Sequence, residues 1–164
     1  MADPEQQNVF SRHDHRRCRV SALREAASSC RTRGLRLTAV RERVLEILLE
    51  SHRALGAYEI LDRLKSEGFG GQPPIVYRAL DFLVENGFVH RLERLNAFAA
   101  CNHSGTGHEP MFLICQDCRR VAEAPLERLR ARIDRTAEAV GFSVHSRVLE
   151  IVGQCPDCQR GPSA

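Results

Sequence analysis

The chain has 164 residues and a formal net charge of +3, and it contains no run of about 18 apolar residues, so no membrane-spanning helix is expected. This length suits one ordinary domain or two small ones, and two small ones would need a metal ion or a partner subunit to supplement their cores. The first 25 residues are polar and arginine-rich, which argues against a signal peptide and indicates a reducing, cytoplasmic setting.

The positive charge is concentrated near the N-terminus. Between Ser11 and Arg36 there are eight arginines and two acidic residues. A basic stretch beside a helical domain suits contacts with the phosphates of nucleic acid. Because the chain holds 23 arginines and one lysine, a bias in codon usage is the alternative explanation of this richness.

The N-terminal part of the chain predicts a flexible arm followed by four helices. Residues 1–18 have no apolar periodicity and form the arm, and metal binding by its His13, His15 and Cys18 is left open. Apolar residues at helical spacing, with capping residues and helix-ending glycines, predict the helices. The first helix spans 20–33, and the second begins after the cap Thr38. The third spans 57–67, and the fourth runs from Pro73 to Gly87.

Two short strands are predicted directly after the fourth helix, over 88–93 and 97–101, with a turn around Asn96. Three or four short helices followed by a β-ribbon are typical of a winged helix-turn-helix domain, which we place at 19–101. The fourth helix would then enter the major groove of DNA, and the ribbon would be the wing. A small helical bundle without a DNA role is the alternative interpretation.

The rest of the chain predicts a small α/β domain over 111–160, after a hinge or loop at 102–110. Strands are predicted at 111–115, 120–123 and 147–152, and a helix is predicted from Pro125 to Gly141. The strand edges of so small a domain are exposed unless they pair, and pairing with a second copy is the economical solution. We therefore expect an α+β fold and a homodimer.

Two groups of metal-binding residue types occur in this region. Two C-x-x-C pairs, separated by 36 residues, are typical of a structural Zn²⁺ site with four thiolates, and in a reducing compartment they favour metal binding over disulfide or redox chemistry. Imidazole, thiolate and carboxylate side chains could build a second site of mixed ligands. The first group is Cys115, Cys118, Cys155 and Cys158; the second is His90, Cys101, His103, His108 and Glu123.

Several motifs together resemble the Fur family of metal-dependent repressors. They are L-R-L-T-x-x-R at 35–41, A-Y-E-I-L-D at 57–62, P-P-x-V-Y-R-A-L-D-F-L at 73–83, G-F-V-H at 87–90, and the two C-x-x-C pairs. The resemblance extends from about residue 20 to residue 158, and within the family it is strongest to the zinc uptake regulators. It implies a winged-helix domain, a hinge and an α/β dimerisation domain, with one structural and one regulatory metal site in each subunit.

The resemblance also implies roles for individual residues. Tyr58 and Arg78 match residues that approach the DNA operator, and Tyr77 lies beside Arg78 on the same polar helix face. Two zinc ions per subunit are implied. The structural zinc would be held by Cys115, Cys118, Cys155 and Cys158, and the regulatory zinc by His90, Cys101, His108 and Glu123.

The function implied is zinc-responsive repression. Zinc at the hinge site would set the dimer in the conformation that binds a palindromic double-stranded operator, and so would repress zinc-uptake genes. No enzyme activity, membrane contact or small-molecule substrate is expected. An iron- or peroxide-responsive repressor of the same family is the main alternative, and a zinc-dependent hydrolase or deaminase is a remote one.

Departures from the iron- and peroxide-sensing relatives favour zinc. Those relatives have an H-H-D-H run before the first C-x-x-C, of which only His108 is present here, and Ala54 stands where they place a ligand histidine. Cys101 replaces the glutamate that the iron sensors use at the hinge. His103 remains an alternate ligand, and His145 lies out of register with the family's metal site.

Overall fold

The structure is a computed structural model that describes residues 9–10, 15–101 and 109–161. Two units follow one another along the chain: an N-terminal unit (residues 15–101) and a C-terminal unit (residues 109–161). The N-terminal unit contains α1 (His15–Thr32), α2 (Ala39–Leu49), α3 (Ala57–Ser66), α4 (Pro73–Glu85), β1 (Val89–Leu92) and β2 (Ala97–Ala100). The C-terminal unit contains β3 (Pro110–Cys115), β4 (Val121–Pro125), α5 (Glu127–Glu138), β5 (Leu149–Gly153) and α6 (Pro156–Gln159).

In the N-terminal unit, four helices and a two-stranded ribbon enclose one apolar core. Thr38 caps α2, because its side-chain oxygen accepts a hydrogen bond from the backbone N–H of Arg41 at 3.4 Å. Two prolines open α4, where their missing N–H groups leave no helical hydrogen bond unmade. The largest side chains of this core that are essentially inaccessible are Phe88, Ile47, Leu48, Ile60, Leu64, Leu80 and Leu83.

The β-ribbon that follows α4 has the form of a wing. Strands β1 and β2 are antiparallel and pair Val89 with Ala100 and Leu92 with Ala97. The backbone of Leu55, just before α3, exchanges two hydrogen bonds with Phe98 at 2.8 and 2.9 Å. The wing is therefore tied to the segment that leads into α3.

The C-terminal unit is built on a three-stranded sheet in the order β4-β3-β5. Strand β3 is antiparallel to β4 and parallel to β5. A parallel pair requires a crossover connection, and α5 supplies it. Strands β4 and β5 are the outer strands of this sheet.

The two units pack against each other through a buried cluster and two backbone hydrogen bonds. The N–H of Ala54 donates to the carbonyl of Arg119 at 2.9 Å, and the N–H of Val121 donates to the carbonyl of His52 at 2.8 Å. The segment 52–55 therefore touches both the wing and the C-terminal sheet. The buried cluster consists of Ala54, Leu92, Ala97, Ala99, Phe112, Ile114 and Val121.

Several predicted element boundaries differ from the structure. Helix α1 begins at His15 and includes the last residues of the predicted arm. Its first turn consists of arginine and polar residues that are compatible with a helix but show no apolar periodicity, so the sequence pattern did not indicate this start. Pro110, expected in the hinge, begins β3. Pro125, expected to open a helix, pairs with Pro110 at the end of β4, and α5 begins at Glu127.

Helix α5, predicted to run to Gly141, ends earlier, at Glu138. Val140 lies beyond the end of α5 and is 80% exposed, so it is a surface residue of this subunit and not part of its core. His13 and residues 102–108, which include His103 and His108, lie outside the described residues. Within the described ranges, no helix is both long enough and apolar enough to cross a membrane.

Candidate metal centres and DNA-reading face

Four cysteine sulfurs converge where the turn after β3 meets the start of α6. The four ligand atoms all lie within 4.8 Å of one another, and Cys118 Sγ is 3.7 Å from Cys155 Sγ. Two sulfurs of a tetrahedral zinc–thiolate site are separated by about 3.8 Å. This cluster, here called the cage, therefore has the donor set and spacing of a Zn²⁺ site; its members are Cys115, Cys118, Cys155 and Cys158.

Hydrogen-bond donors favour the thiolate form of two cage cysteines, Cys115 and Cys118. Burial would raise the pKa of Cys115, but backbone N–H groups, those of Cys118 and Cys155 first, outweigh it and lower the pKa to about 6. Burial would also raise the pKa of Cys118, but the hydrogen bond from the Arg120 guanidinium outweighs burial and lowers that pKa. The hydrogen bond to Cys155, together with burial, raises the pKa of Cys158 to about 12. The cluster thus accumulates negative charge that a cation can neutralise.

Arg120 is a member of the cage's surroundings that the sequence did not predict. Its guanidinium lies 3.4 Å from the sulfurs of both Cys118 and Cys155, and it donates to Asp157 Oδ2 at 2.6 Å. Four thiolates around one Zn²⁺ would carry a net negative charge, which this guanidinium would partly neutralise. The signal available in the sequence was an arginine two positions after Cys118, with an acidic residue inside the second C-x-x-C.

A second cluster of potential ligands lies at the junction of the two units. His90 belongs to β1, Cys101 follows β2, and Glu123 belongs to β4, so the ligands come from both units. Their ligand atoms lie within 4.8 Å of one another; Glu123 Oε1 is 3.5 Å from His90 Nε2, and its Oε2 is 3.9 Å from Cys101 Sγ. Nitrogen, sulfur and oxygen ligands of tetrahedral zinc are about 3.3–3.5 Å apart. These three residues are called the hinge site below.

The hinge site is shielded from solvent. Cys101 is 2% exposed, and the side chain of Glu123 is 5% exposed. The His90 ring packs edge-on against Phe112, with 5.0 Å between the ring centroids. A cation held by these side chains would therefore be screened little by water, and its ligands are already oriented.

The predicted DNA-binding residues lie on an exposed part of α3 and α4. Tyr58 is 69% exposed and Tyr77 is 44% exposed, although both are large aromatic residues. They flank one apolar groove between the first turns of the two helices, floored in part by Val76. Arg78 is also exposed, on the second turn of α4. Exposed aromatic and basic side chains at a helix N-terminal end suit the major groove of DNA.

Comparison with known proteins identifies the family. Residues 32–152 match the Ferric uptake regulator family. A region of 137 residues is 36% identical to the zinc uptake regulation protein of Escherichia coli (strain K12), covering 83% of this chain and 80% of that protein. The chain belongs to the Ferric uptake regulator family. The membership that the motifs predicted is thereby confirmed.

Solved structures match most of this Fur-family chain. A zinc uptake regulator in complex with zinc and DNA superimposes with a TM-score of 0.80 at 34% identity, covering 87% of this chain and 95% of that one. The holo form of XcZur gives a TM-score of 0.76 at 39% identity, covering 86% and 99%. The apo form of XcZur gives a TM-score of 0.51 at 40% identity, covering 86% of this chain and 97% of that one. These likenesses confirm the predicted α+β fold, with a winged-helix unit followed by a small α/β unit.

The remaining predicted ligands are placed as follows. His108, predicted as the fourth hinge ligand, and its alternate His103 lie outside the described residues, so their roles stay predictions. His145 is exposed in the segment before β5 and belongs to neither ligand cluster of the described chain. Ala54, expected from the sequence to stand at the position of a ligand histidine in iron- and peroxide-sensing relatives, is 1% exposed in the apolar junction.

Proposed function

We propose that the chain is a zinc-responsive transcriptional repressor that binds operator DNA as a homodimer and holds two zinc ions per subunit. One zinc would occupy the cage, and the other would occupy the hinge site with His108 as the fourth ligand. The observation that carries the proposal is the convergence of His90, Cys101 and Glu123 from both units at one buried point. A metal there would control the orientation of a DNA-binding unit on a dimerisation unit.

The ligand chemistry supports zinc over iron or peroxide sensing. Cys101 contributes a thiolate to the hinge site, and soft thiolate ligands favour zinc over ferrous iron. Relatives named as zinc uptake regulators share 34–36% identity with this chain, whereas peroxide-responsive and ferric uptake regulators share 24–27%. Both lines of evidence disfavour the iron- or peroxide-responsive alternative.

The proposed regulation follows from where the ligands are attached. His90 lies in the wing and Cys101 directly follows it, whereas Glu123 belongs to the C-terminal sheet. When bound, zinc supplies a cross-link between these side chains. The angle between the two units is then the two-state element that zinc and operator both influence. In a dimer that angle also sets the distance between the two α4 helices.

The shape of the chain supports the assignment of this arrangement to the metal-loaded state. It superimposes on holo XcZur much better than on apo XcZur, with TM-scores of 0.76 and 0.51. Sequence identity and coverage are nearly the same in the two comparisons, so they do not explain the difference. A different disposition of the two units is the physical explanation that fits the hinge proposal.

Exposed apolar side chains of the C-terminal unit support a homodimer. Phe142 is 64% exposed, Val148 is 63% exposed and Ile151 is 47% exposed. Ile151 lies in β5, an outer strand of the sheet, Val148 directly precedes that strand, and Phe142 lies in the connection between α5 and β5. A second copy of the chain that pairs at this edge would bury them.

The cage supports a structural role and argues against a hydrolase or deaminase. Catalytic zinc sites keep one coordination position open for water, whereas the four thiolates of the cage leave none. The cage ligands join the turn after β3 to α6 and so hold the end of the chain onto the sheet. Zinc at this point would stabilise the folded C-terminal unit.

The proposal is tested by operator binding before and after zinc is restored to mildly chelated full-length protein. The DNA probe is a duplex selected by the zinc-loaded protein from a random-sequence library. Wild-type binding should require restored zinc. Cys101→Ser and His90→Ala should remain folded dimers that retain the cage zinc but lose the zinc-dependent increase in affinity. Cys18→Ser is the matched control because its thiol lies outside both ligand clusters.

Two outcomes would contradict the proposal. One is a Cys101→Ser protein that shows the wild-type binding curve at limiting zinc. The other is restoration of operator binding by ferrous iron at concentrations where zinc has no effect.

A further inference from the structure

A carboxylate of the C-terminal unit caps the tip of the wing. Glu150, in β5, accepts a hydrogen bond from the backbone N–H of Glu93 at 2.7 Å through Oε1, and one from the N–H of Arg94 at 3.0 Å through Oε2. These donors belong to the wing turn (residues 93–96), which the N–H of Asn96 closes onto the Glu93 carbonyl at 3.2 Å. Two successive N–H groups directed at one anion form an anion-binding concavity.

The capped turn is continuous with the packed junction between the two units. Leu92, the residue before the turn, is fully buried in the junction cluster, and Leu95, within the turn, packs against that cluster. In the sheet, Glu150 is the parallel partner of Phe112, which contacts the His90 ring. The wing tip is therefore held against the C-terminal sheet, on the same side of the molecule as the hinge site.

The contact joins parts of the chain that the hinge separates. Glu150 lies 56 and 57 residues from its two donors, and it belongs to neither the cage nor the hinge site. Both hydrogen bonds are directional and share one side chain, so a rotation of the N-terminal unit on the sheet would lengthen or bend at least one of them. The bidentate contact can exist in only a narrow range of angles between the units.

We propose that Glu150 is a positioning residue for operator binding. By holding the wing turn, it stabilises the angle between the units at which α3 and α4 of a dimer fit the operator. This inference rests on the proposed repressor function and adds to it a contact that does not involve metal. A contact formed in only one of two conformations shifts the population toward that conformation, as the hinge metal does. Glu150 and hinge zinc should therefore reinforce each other.

The test compares full-length, zinc-loaded Glu150→Ala and Glu150→Gln with wild type, on the duplex that wild-type protein selects from a random library. Alanine removes both acceptors, whereas glutamine keeps the length and one acceptor oxygen. Operator affinity should fall by roughly 5- to 50-fold for alanine, the size expected for two charge-assisted but partly exposed hydrogen bonds, and by less for glutamine. The control is Glu138→Gln, which changes an exposed carboxylate at the end of α5 and should leave operator affinity unchanged.

Amide hydrogen exchange of the wing turn supplies a readout that loss of stability elsewhere would not reproduce. The N–H groups of Glu93 and Arg94 should exchange faster in both Glu150 variants, while α2 and the cage knuckles keep their protection. The graded order Glu, Gln, Ala in both measurements supports the proposal, and it does so even if the alanine variant is too unstable to assay. Wild-type affinity in either folded variant, or unchanged wing-turn exchange, overturns it. Operator affinity of the wild-type protein that does not change when zinc is removed or restored would instead refute the proposed zinc-responsive repressor function.

Discussion

Among single residues, Arg120 is the one we expect to determine how firmly the cage holds its metal. Its guanidinium donates to the sulfurs of Cys118 and Cys155, and Asp157 holds it in place. Removing the positive charge leaves the anionic cage less stable and the two sulfurs freer to rotate. Arg120→Met should therefore lose cage zinc to a chromophoric chelator about 10-fold faster than wild type, the usual size of an effect from a residue next to metal ligands.

The chain offers a matched control for this prediction. Arg160 pairs with the same Asp157 carboxylate but touches no sulfur, and its side chain is 72% exposed. Arg160→Met should release zinc at the wild-type rate. Equal acceleration by both substitutions would mean that Asp157, or the charge of the surface, matters and that the contacts of Arg120 with sulfur do not.

At the scale of elements, α4 is the helix whose exposed face we expect to determine operator specificity. Arg78 lies one residue beyond Tyr77 on the second turn, where a guanidinium can reach a guanine edge in the major groove. Arg78→Ala should weaken operator binding by roughly 1–3 kcal/mol and relax the preference at one base pair. A binding competition between selected and scrambled duplexes measures both effects.

The control for α4 is an arginine of the other unit. Arg135 donates to the carbonyl of Ala131 within its own helix, and Arg135→Ala removes the same charge away from the proposed DNA face. If the two variants lose the same affinity, the effect of Arg78 is one of total charge. If neither loses affinity, the DNA-binding surface lies elsewhere.

Most of the N-terminal unit could be predicted from the sequence because its elements have strong local signals. Helices α2, α3 and α4 each combine an apolar stripe with a cap, a helix-opening proline or a terminal glycine. The positive φ of 76° at Gly87 fits its predicted place beyond the end of α4. Elements with weak periodicity were predicted less well, and the starts of α1 and α5 were both misplaced.

The two ligand clusters differ in how far the sequence could predict them. The spacing of the two C-x-x-C pairs alone predicts that their four sulfurs converge, because the two cysteines of each pair must face one ion. The convergence of His90, Cys101 and Glu123 was expected only from the resemblance to a family, since spacing alone does not bring a wing strand onto a sheet. The contact of Glu150 with Glu93 and Arg94 had no signal at all, because its donors are backbone groups.

For the whole molecule, the junction between the units is the feature on which the proposed regulation depends. Apolar packing, two backbone hydrogen bonds, the Glu150 carboxylate and the hinge ligands all act across the same boundary. Each of them stabilises one relative orientation, and no single one need be strong. A metal at the proposed hinge site would add its binding free energy to an orientation that the other contacts already favour, so a modest difference in zinc affinity could change operator occupancy.

Thermodynamic linkage gives the last prediction. If zinc at the hinge site raises operator affinity by about 5–150-fold, saturating operator must raise hinge-site zinc affinity by the same factor. A competition titration against a chromophoric chelator, with the selected duplex and then a scrambled one, measures this directly. His90→Ala, which retains the cage, should show no DNA-dependent change in zinc affinity. If zinc still tightens operator binding in wild type while operator leaves hinge-site affinity unchanged, the controlling metal is bound outside His90, Cys101 and Glu123.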